Sequence, residues 1–462
     1  MSLLWPRARI RSISCLAAIF LVILAFVLML VFGMRSDFDE MHPFVAELLP
    51  AGHCLCHSSS NFECATCLEQ ADGVYMGNKT DSQEDGWVYR FGRDDGNEAL
   101  SPDQCAAAFP GLFEDIDRAV KRRRDNHIRP GELASMKVYK GMVRAMIYDG
   151  ELYVIQVRCM GEDHREKVIG TLQNIHRALS VIQQRRDVPN IEFAFTIEDM
   201  ADDPNDPVWA LTRRSKDDEV WLMPDFGFWS WNREGIGPYS QIASDIIDRE
   251  EHHEPWEKKE KKLLWRGKLS FAPKLRRALL KVAKNKPWSA VRALRWWDKE
   301  SMENDFISSV DQCRYMFIAH AEGRSFSAGL KYKQTCRSVV IAHKLQWFQN
   351  FHYLLVSSGP QQNFVEVERD FSDLDAKMEH LLAHPDEARR IADNSVRTFR
   401  ERYLTPAAQA CYWRALFKGW AEVSFRPELY ENGDGKGKDR KRRGVRFERF
   451  VLFESKRHMS YP

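Results

Sequence analysis

The feature that most restricts the architecture of this chain is an uninterrupted apolar run near its N-terminus. The run from Ile13 to Met34 contains no charged side chain, and a helix of that length crosses a bilayer once. A secretory signal peptide is the alternative, but its apolar core is shorter and small residues at a cleavage site follow it. This run ends in Phe-Gly-Met-Arg instead. The sequence therefore favours an uncleaved transmembrane anchor over residues 13–34.

Charges on the two sides of this run set its expected orientation. Three arginines lie within residues 1–12, and three acidic residues lie within residues 37–40. Because positive charge stays on the cytosolic side, we expect residues 1–12 to be a cytosolic tail and the rest of the chain to be lumenal. The N-glycosylation sequon at Asn78 falls on that side. The sequence predicts a single-pass type II protein of the endoplasmic reticulum or Golgi membrane.

A cluster of cysteines follows the anchor. Cys54, Cys56, Cys64 and Cys67 have the spacing C-x-C-x7-C-x-x-C, which in the cytosol would indicate a zinc site. In an oxidising lumen disulfides are the default, and the predicted topology favours them. A zinc-stabilised interaction stem remains an alternative. We assign residues 35–130, which have little periodicity, to a lumenal cysteine-containing stem.

Periodicity sharpens after the stem and indicates an α/β domain. Residues 137–158 contain two apolar runs around Asp149-Gly150, a strong hairpin signal. An apolar repeat at helical spacing follows, and then a strand candidate from Ile191 to Ile197. Strands that alternate with helices are typical of α/β proteins. We place the first half of the fold at residues 131–258.

A second α/β half is predicted over residues 259–425. It contains a strand at Leu263–Arg266, a helix at Ala272–Lys284 and two later strands, Tyr315–Ala319 and Ser338–Ala342. The remaining residues, 426–462, are basic, and their Gly, Lys and Arg content from 432 to 446 predicts a tail that is disordered in part. The net charge of the chain is only +2, which gives no basic field for nucleic acid.

The loop between the last two strands is a candidate phosphate site. It has the sequence EGRSFSAGLK from Glu322 to Lys331. Ser327 is expected to cap the following helix, and Gly329 allows a close backbone approach. Free N–H groups at such a helix start bind phosphate oxygens, and Lys331 adds charge. An ordinary capped helix with solvated lysines is the alternative.

Three further motifs have two interpretations each. Arg266-Gly267 ends a strand, where it is either a phosphate-binding cation or part of a surface turn. Asp199 follows the strand that ends at Ile197, and it is either a general base or part of a solvated acidic loop. Asp225-Phe226-Gly227 matches a kinase motif, but the other kinase motifs are absent from the sequence. Its aromatic surroundings predict core packing, with sugar stacking as the alternative.

Taken together, these residues resemble glycosyltransferase family 90, the capsule-associated-protein type that includes fungal xylosyltransferases and animal protein O-glucosyltransferases. The similarity is strongest from Leu263 to Trp413 and weaker back to Lys137. The matching segments are WRG at Trp265–Gly267, CRYMFIAHAEGRSFSAGLKY at Cys313–Tyr332, CRSVVIAHK at Cys336–Lys344, VERDFSDL at Val367–Leu374 and CYW at Cys411–Trp413.

The resemblance implies a GT-B fold in which two Rossmann-like halves face a cleft and the C-terminal half binds the nucleotide sugar. It implies an inverting transfer of xylose or glucose from UDP-xylose or UDP-glucose to a hydroxyl of a glycan or protein. No metal and no other cofactor are expected. The family pattern also implies a disulfide between Cys313 and Cys336.

Site residues follow from the same resemblance. Asp199 matches the family's catalytic base. The expected donor-binding residues are Arg266, Gly267, Lys274, Gly323, Arg324, Ser325, Ser327 and Lys331. The chain departs from the family at Gly329, where many members have an arginine on the diphosphate. Lys331, Arg324 or Lys274 would then substitute for it, and the alternative is an inactive relative that binds carbohydrate or acts as a scaffold.

Overall fold

A computed structural model describes five segments of the chain: residues 87–182, 184–231, 236–295, 297–431 and 441–454. The predicted anchor, the cysteine cluster at residues 54–67 and the sequon at Asn78 lie outside these segments. Within them, the longest apolar helices are too short or too polar to span a membrane.

Helices and strands alternate through most of the described chain. The helices are α1 (Pro102–Ala108), α2 (Glu114–Arg123), α3 (Pro130–Ser135), α4 (Gly161–Ser180), α5 (Tyr239–His252), α6 (Pro273–Ala283), α7 (Lys299–Asp305), α8 (Leu330–Thr335), α9 (Leu374–Ala383), α10 (Pro385–Ser395), α11 (Pro406–Glu422) and α12 (Phe447–Arg449). The strands are β1 (Met142–Tyr148), β2 (Glu151–Arg158), β3 (Ile191–Thr196), β4 (Trp209–Ala210), β5 (Trp221–Leu222), β6 (Glu260–Gly267), β7 (Ser289–Ala293), β8 (Tyr315–His320), β9 (Val339–His343), β10 (Val365–Val367) and β11 (Val445–Arg446).

The first half contains a mixed sheet with the strand order β11-β2-β1-β3-β4-β5. β1 and β2 form an antiparallel hairpin, and its turn residues Asp149 and Gly150 have φ values of 49° and 73°. This conformation suits a tight hairpin turn and confirms the predicted one. β3, β4 and β5 are parallel to one another. Because β1 pairs with β3 in antiparallel orientation, this sheet is not the fully parallel Rossmann sheet that the resemblance implies.

The second half contains a parallel sheet with the order β10-β9-β8-β6-β7. Read from β7, this is the doubly wound order 2-1-3-4-5, in which the strand order reverses between the first and third strands. Those strands are β6 and β8 here, and every residue of β8 is buried, as expected for a strand covered on both faces. Ligands of such sheets bind outside the carboxyl ends of the strands at this reversal.

Two helices from the region predicted as a stem belong to the folded unit. Phe109 and Leu112, between α1 and α2, and Ile116 in α2 are buried in the large core that also contains the first sheet. A disulfide joins Cys105 in α1 to Cys411 in α11. Both helices are short, of seven and ten residues, and both pack against α11, which lies far along the chain.

The C-terminal part of the chain returns to the first half. α11 places Trp413 and Trp420 with their ring centroids 6.3 and 5.5 Å from that of Trp209 in β4. Farther on, β11 pairs with β2, and Arg443 makes a 2.8 Å ion pair with the buried Glu192 of β3. Disorder is predicted from the composition of this tail, but residues 441–450 are instead docked on the first sheet.

Candidate active site

The carboxyl end of β3 places two acidic side chains beside each other. Glu198 has a carboxylate oxygen 3.2 Å from Nε2 of His164, so this acid already has a partner within the first half. Burial lowers the pKa of His164, and the Glu198 carboxylate acts against that shift. Asp199 is exposed. Of the two neighbours, Asp199 is therefore the carboxylate available to an incoming molecule.

Asp199 shares an open pocket with a cation from the second half. The pocket, of about 260 Å³, is lined by both Asp199 and Arg324 together with Lys140, Glu198 and Asp202. Arg324 lies in the loop after β8 and is exposed. The buried Ser325 donates its hydroxyl proton to the main-chain carbonyl of Asp199. The structure thus brings together three residues predicted separately from the sequence: Asp199, Arg324 and Ser325.

A buried arginine that the sequence reasoning missed supports this loop. Arg276 in α6 donates from Nε to the carbonyl of Glu322 over 3.0 Å and from a guanidinium nitrogen to that of Lys268 over 2.6 Å. Burial lowers its pKa to about 10. A Cβ at Gly323 would lie 3.1 Å from this guanidinium, so glycine leaves room for the arginine. The signal in the sequence was a cation on the apolar face of the helix, beside Leu275.

Glu322 joins the loops that follow three adjacent strands. It is 1% exposed, and one carboxylate oxygen accepts protons from the N–H groups of Gln346 and Trp347 over 2.7 and 2.9 Å. The other oxygen makes a 2.9 Å ion pair with Arg369. Its own N–H donates to Nε2 of His343 over 3.0 Å. The base of the candidate donor loop is therefore fixed to the loops after β9 and β10.

Lys331 lies inside the protein rather than at the pocket. Its ammonium nitrogen is 2.9 Å from each carboxylate oxygen of Asp225 and has no exposed side-chain surface. Gly329 is the N-cap residue of α8, and no side chain caps this helix. The predicted capping role of Ser327 is therefore wrong, although Ser327 does lie in the loop, partly exposed.

The remaining predicted donor residues lie outside the Asp199 pocket. Arg266 donates to the carbonyls of Asp305 (2.7 Å) and Trp265 (2.9 Å), and burial lowers its pKa. A Cβ at Gly267 would lie 2.5 Å from the indole of Trp265. Close packing against this ring therefore explains why a glycine occupies the position. Lys274 is exposed in a neighbouring pocket that Arg369 also lines.

The bridge implied by the family resemblance is confirmed. Cys313 and Cys336 form a disulfide with a Cα–Cα distance of 5.1 Å. It ties the start of β8 to the end of α8, so both ends of the unit that carries the candidate donor loop are held together. Cys159 is buried with a free thiol, whose pKa burial raises to about 12. In the described segments no group of three or more His, Cys, Asp or Glu side chains is arranged to hold a metal ion.

Comparison with known proteins shows the family to which the chain is related. Residues 102–434 match the family described as Glycosyl transferase family 90. The chain is 23% identical over 285 residues to Protein O-glucosyltransferase 1 of Homo sapiens, which covers 57% of this chain and 67% of that protein. It is 26% identical over 299 residues to the O-glucosyltransferase rumi homolog of Aedes aegypti, covering 60% and 70%.

Protein O-glucosyltransferase 2 of Danio rerio is 26% identical over 248 residues, which is 51% of this chain but only 48% of that protein. The chain thus spans about half the length of this relative. The family match covers most of both sheets, including the candidate base, the loop after β8 and its disulfide. Since that match extends over more than half of the sequence, the chain belongs to glycosyltransferase family 90.

Proposed function

We propose that this chain is an inverting glycosyltransferase that moves glucose or xylose from a UDP-sugar to a hydroxyl of a glycan or protein. The observation that supports this best is the shared pocket of Asp199 and Arg324. One residue follows a strand of the first half, and the other follows β8 at the strand-order reversal of the second half. A carboxylate and a cation on facing sides suit a GT-B cleft with the nucleotide on the second half.

The chemistry of transfer assigns a role to each side. Asp199 accepts the proton of the acceptor hydroxyl while that oxygen bonds to the anomeric carbon of the donor sugar. The bond between this carbon and the diphosphate oxygen breaks, and UDP leaves with the electron pair. Arg324 stabilises the charge that develops on the diphosphate, with Gly323 and Ser327 in the same loop and Lys274 nearby. Attack opposite the leaving group inverts the anomeric configuration.

The names of the relatives bear on the donor and the acceptor. Those relatives are named as O-glucosyltransferases, two of them as protein O-glucosyltransferases. We therefore place UDP-glucose ahead of UDP-xylose as the donor, and a protein hydroxyl ahead of a glycan hydroxyl as the acceptor. We also propose a type II location in the endoplasmic reticulum or Golgi membrane. Loss of a glycan-dependent gel shift in Asn78→Gln would support the lumenal location.

The test of this function is UDP release by the purified full-length protein with UDP-glucose or UDP-xylose and peptide or glycan acceptors. Asp199→Asn should lower transfer by about 10²- to 10⁴-fold with little change in UDP affinity, because it removes only the proton acceptor. Arg324→Ala should weaken UDP binding and also slow transfer. Asp203→Asn, in the same acidic loop, is the matched control. Transfer by Asp199→Asn at the wild-type rate would refute the assignment of the base.

A second candidate function is binding without catalysis. Two observations favour it: Gly329 stands where family members place a diphosphate arginine, and Lys331, a possible substitute, is bound to Asp225. Such a protein would bind UDP-sugar or carbohydrate without releasing UDP. Calorimetric binding of UDP together with no turnover of any UDP-sugar would support this candidate and exclude the enzyme.

A further inference from the structure

The Asp-Phe-Gly segment of the first half encloses a lysine of the second half. Lys331 contacts both carboxylate oxygens of Asp225 at 2.9 Å, and their side chains are 0% and 3% exposed. The aromatic rings of Phe228 and Tyr332 lie beneath the ammonium, with centroids 5.3 and 4.6 Å away. These residues account for a sequence motif that the proposed chemistry does not use.

The local backbone is shaped for this lysine. The N–H of Gly227 donates to the Asp225 carboxylate over 2.7 Å. A Cβ at Gly227 would lie 2.8 Å from that carboxylate and 3.0 Å from the Lys331 ammonium. Any larger residue there would have to displace the ion pair. The Asp-x-Gly pattern is therefore what the close approach of Lys331 requires.

A buried ion pair of this kind is a weak source of stability. Removing both charges from water costs as much as their attraction returns, and apolar replacements of the same size are often neutral. Its geometry, however, is well defined, because a buried ammonium must keep its few acceptors. The pair is therefore more important for what it holds in place than for the stability that it adds.

The third acceptor of Lys331 shows what the pair holds in place. Its ammonium lies 3.2 Å from the carbonyl of Ala328, in the loop that carries Arg324. The same loop reaches the first half again through the hydroxyl of Ser325, which donates to the carbonyl of Asp199. The loop is thus attached to the first half twice, near its end through Lys331 beside Asp225 and at its middle through Ser325 beside the candidate base.

We propose that Lys331 is a positioning residue: held by Asp225, it fixes the 321–329 loop so that Arg324 and Asp199 face one pocket. It does not touch the donor. The kinetic part of this inference rests on the proposed function, whereas the structural part does not. Hydrogen exchange tests the structural part alone, and transfer kinetics test the kinetic part.

The first measurement is amide hydrogen exchange of the full-length protein without any donor. Lys331→Met keeps the length and burial of the side chain but removes the ammonium. Exchange in residues 321–329 should rise about tenfold or more, because a hydrogen bond to a charged group is lost from one end of the loop. The matched control is Lys259→Met: this lysine is also unexposed, and its ammonium contacts one carboxylate, that of Glu250, and one carbonyl, that of Cys313.

The control variant should leave exchange of the 321–329 loop unchanged. Equal exchange in the wild type and Lys331→Met would overturn the proposal, and so would an equal rise in both lysine variants. If Lys331→Met does not fold, the double variant Lys331→Met with Asp225→Asn takes its place, since it leaves no unpaired charge buried. Hydrogen exchange tests the positioning of the loop even if the wild type transfers no sugar. Absence of transfer would refute the proposed function but not the role of Lys331.

The second measurement separates positioning from donor binding. In the double variant kcat should fall by about 10²-fold, the effect of misplacing a catalytic group by about 1 Å, while KM for the UDP-sugar stays within about threefold. Lys259→Met, which leaves Glu250 paired with Arg400, should leave kcat near the wild-type value. A large rise in KM at constant kcat would make Lys331 a donor ligand instead. Unchanged kcat and KM would make the pair purely structural, and either result would overturn the inference.

Discussion

The two disulfides of the described chain differ more in the loops that they close than in their local geometry, and this difference leads to a quantitative prediction. Cys105–Cys411 spans 306 residues and Cys313–Cys336 spans 23. Loop-closure entropy then gives about 5.7 kcal/mol for the long loop and about 3.4 kcal/mol for the short loop at 25 °C. Replacing the first pair by serine should therefore cost about 2 kcal/mol more stability than replacing the second.

Activity should rank the two variants in the opposite order. The short bridge ties β8 to α8, and the candidate donor loop lies between them. Its loss should weaken UDP binding in the protein that remains folded. The long bridge ties α1 to α11, away from the Asp199 pocket, so its loss should leave turnover of the folded fraction nearly unchanged.

Urea unfolding followed by tryptophan fluorescence measures the first ranking, and UDP release per folded molecule measures the second. Complete unfolding of the Cys105→Ser, Cys411→Ser variant without urea counts as the larger loss. Equal losses, or a larger loss for Cys313→Ser with Cys336→Ser, would refute the entropic reasoning. Wild-type UDP affinity in the short-loop variant would refute the link to the donor loop.

Three further results are expected. Burial and the nearby charge of Arg213 lower the pKa of His352 to about 4, whereas in the unfolded chain its pKa is about 6.5. The unfolded state therefore binds this proton first as the pH falls, and the free energy of unfolding should drop by about 2 kcal/mol between pH 7 and pH 5. His352→Phe should remove that part of the change in urea midpoint. Gly267→Ala should destabilise the fold by about 1–3 kcal/mol, since the new methyl group overlaps the Trp265 indole, and a urea midpoint equal to that of the wild type would contradict this. Glu198→Gln should leave UDP release within about threefold of wild type, because this carboxylate is paired in the first half; complete loss of transfer would instead identify Glu198 as the base.

The sequence was sufficient for the parts of the fold that local patterns determine. The β1–β2 hairpin follows from Asp149-Gly150, which favour the positive φ values of the turn. β8 and β9 follow from apolar runs of strand length, and Asp199 follows from its place after β3. In each case a few consecutive residues decide the outcome.

The features that the sequence did not predict depend on distant partners. The position of Lys331 after a glycine-containing loop predicts a phosphate-binding lysine. Asp225, more than a hundred residues away in the sequence, instead holds its ammonium inside the protein. α1 and α2 are too short to be recognised from their own residues, and the helix that they pack against, α11, is about 300 residues away. For Arg276 the sequence shows only that a cation occupies an apolar helix face. Its hydrogen-bond acceptors are main-chain carbonyls, and no pattern of side chains in the sequence reveals those.

The return of α11 and β11 to the first sheet has a consequence for synthesis of the chain. Trp209 of β4 is covered by Trp413 and Trp420, which are made only after all five strands of the second sheet have been translated. At the usual rate of about 5–20 residues per second, the first sheet waits about 10–40 s for these residues. During that time its apolar face is exposed in the compartment where the chain emerges. A stop codon shortly before α11 would therefore release a protein whose first half has no complete core.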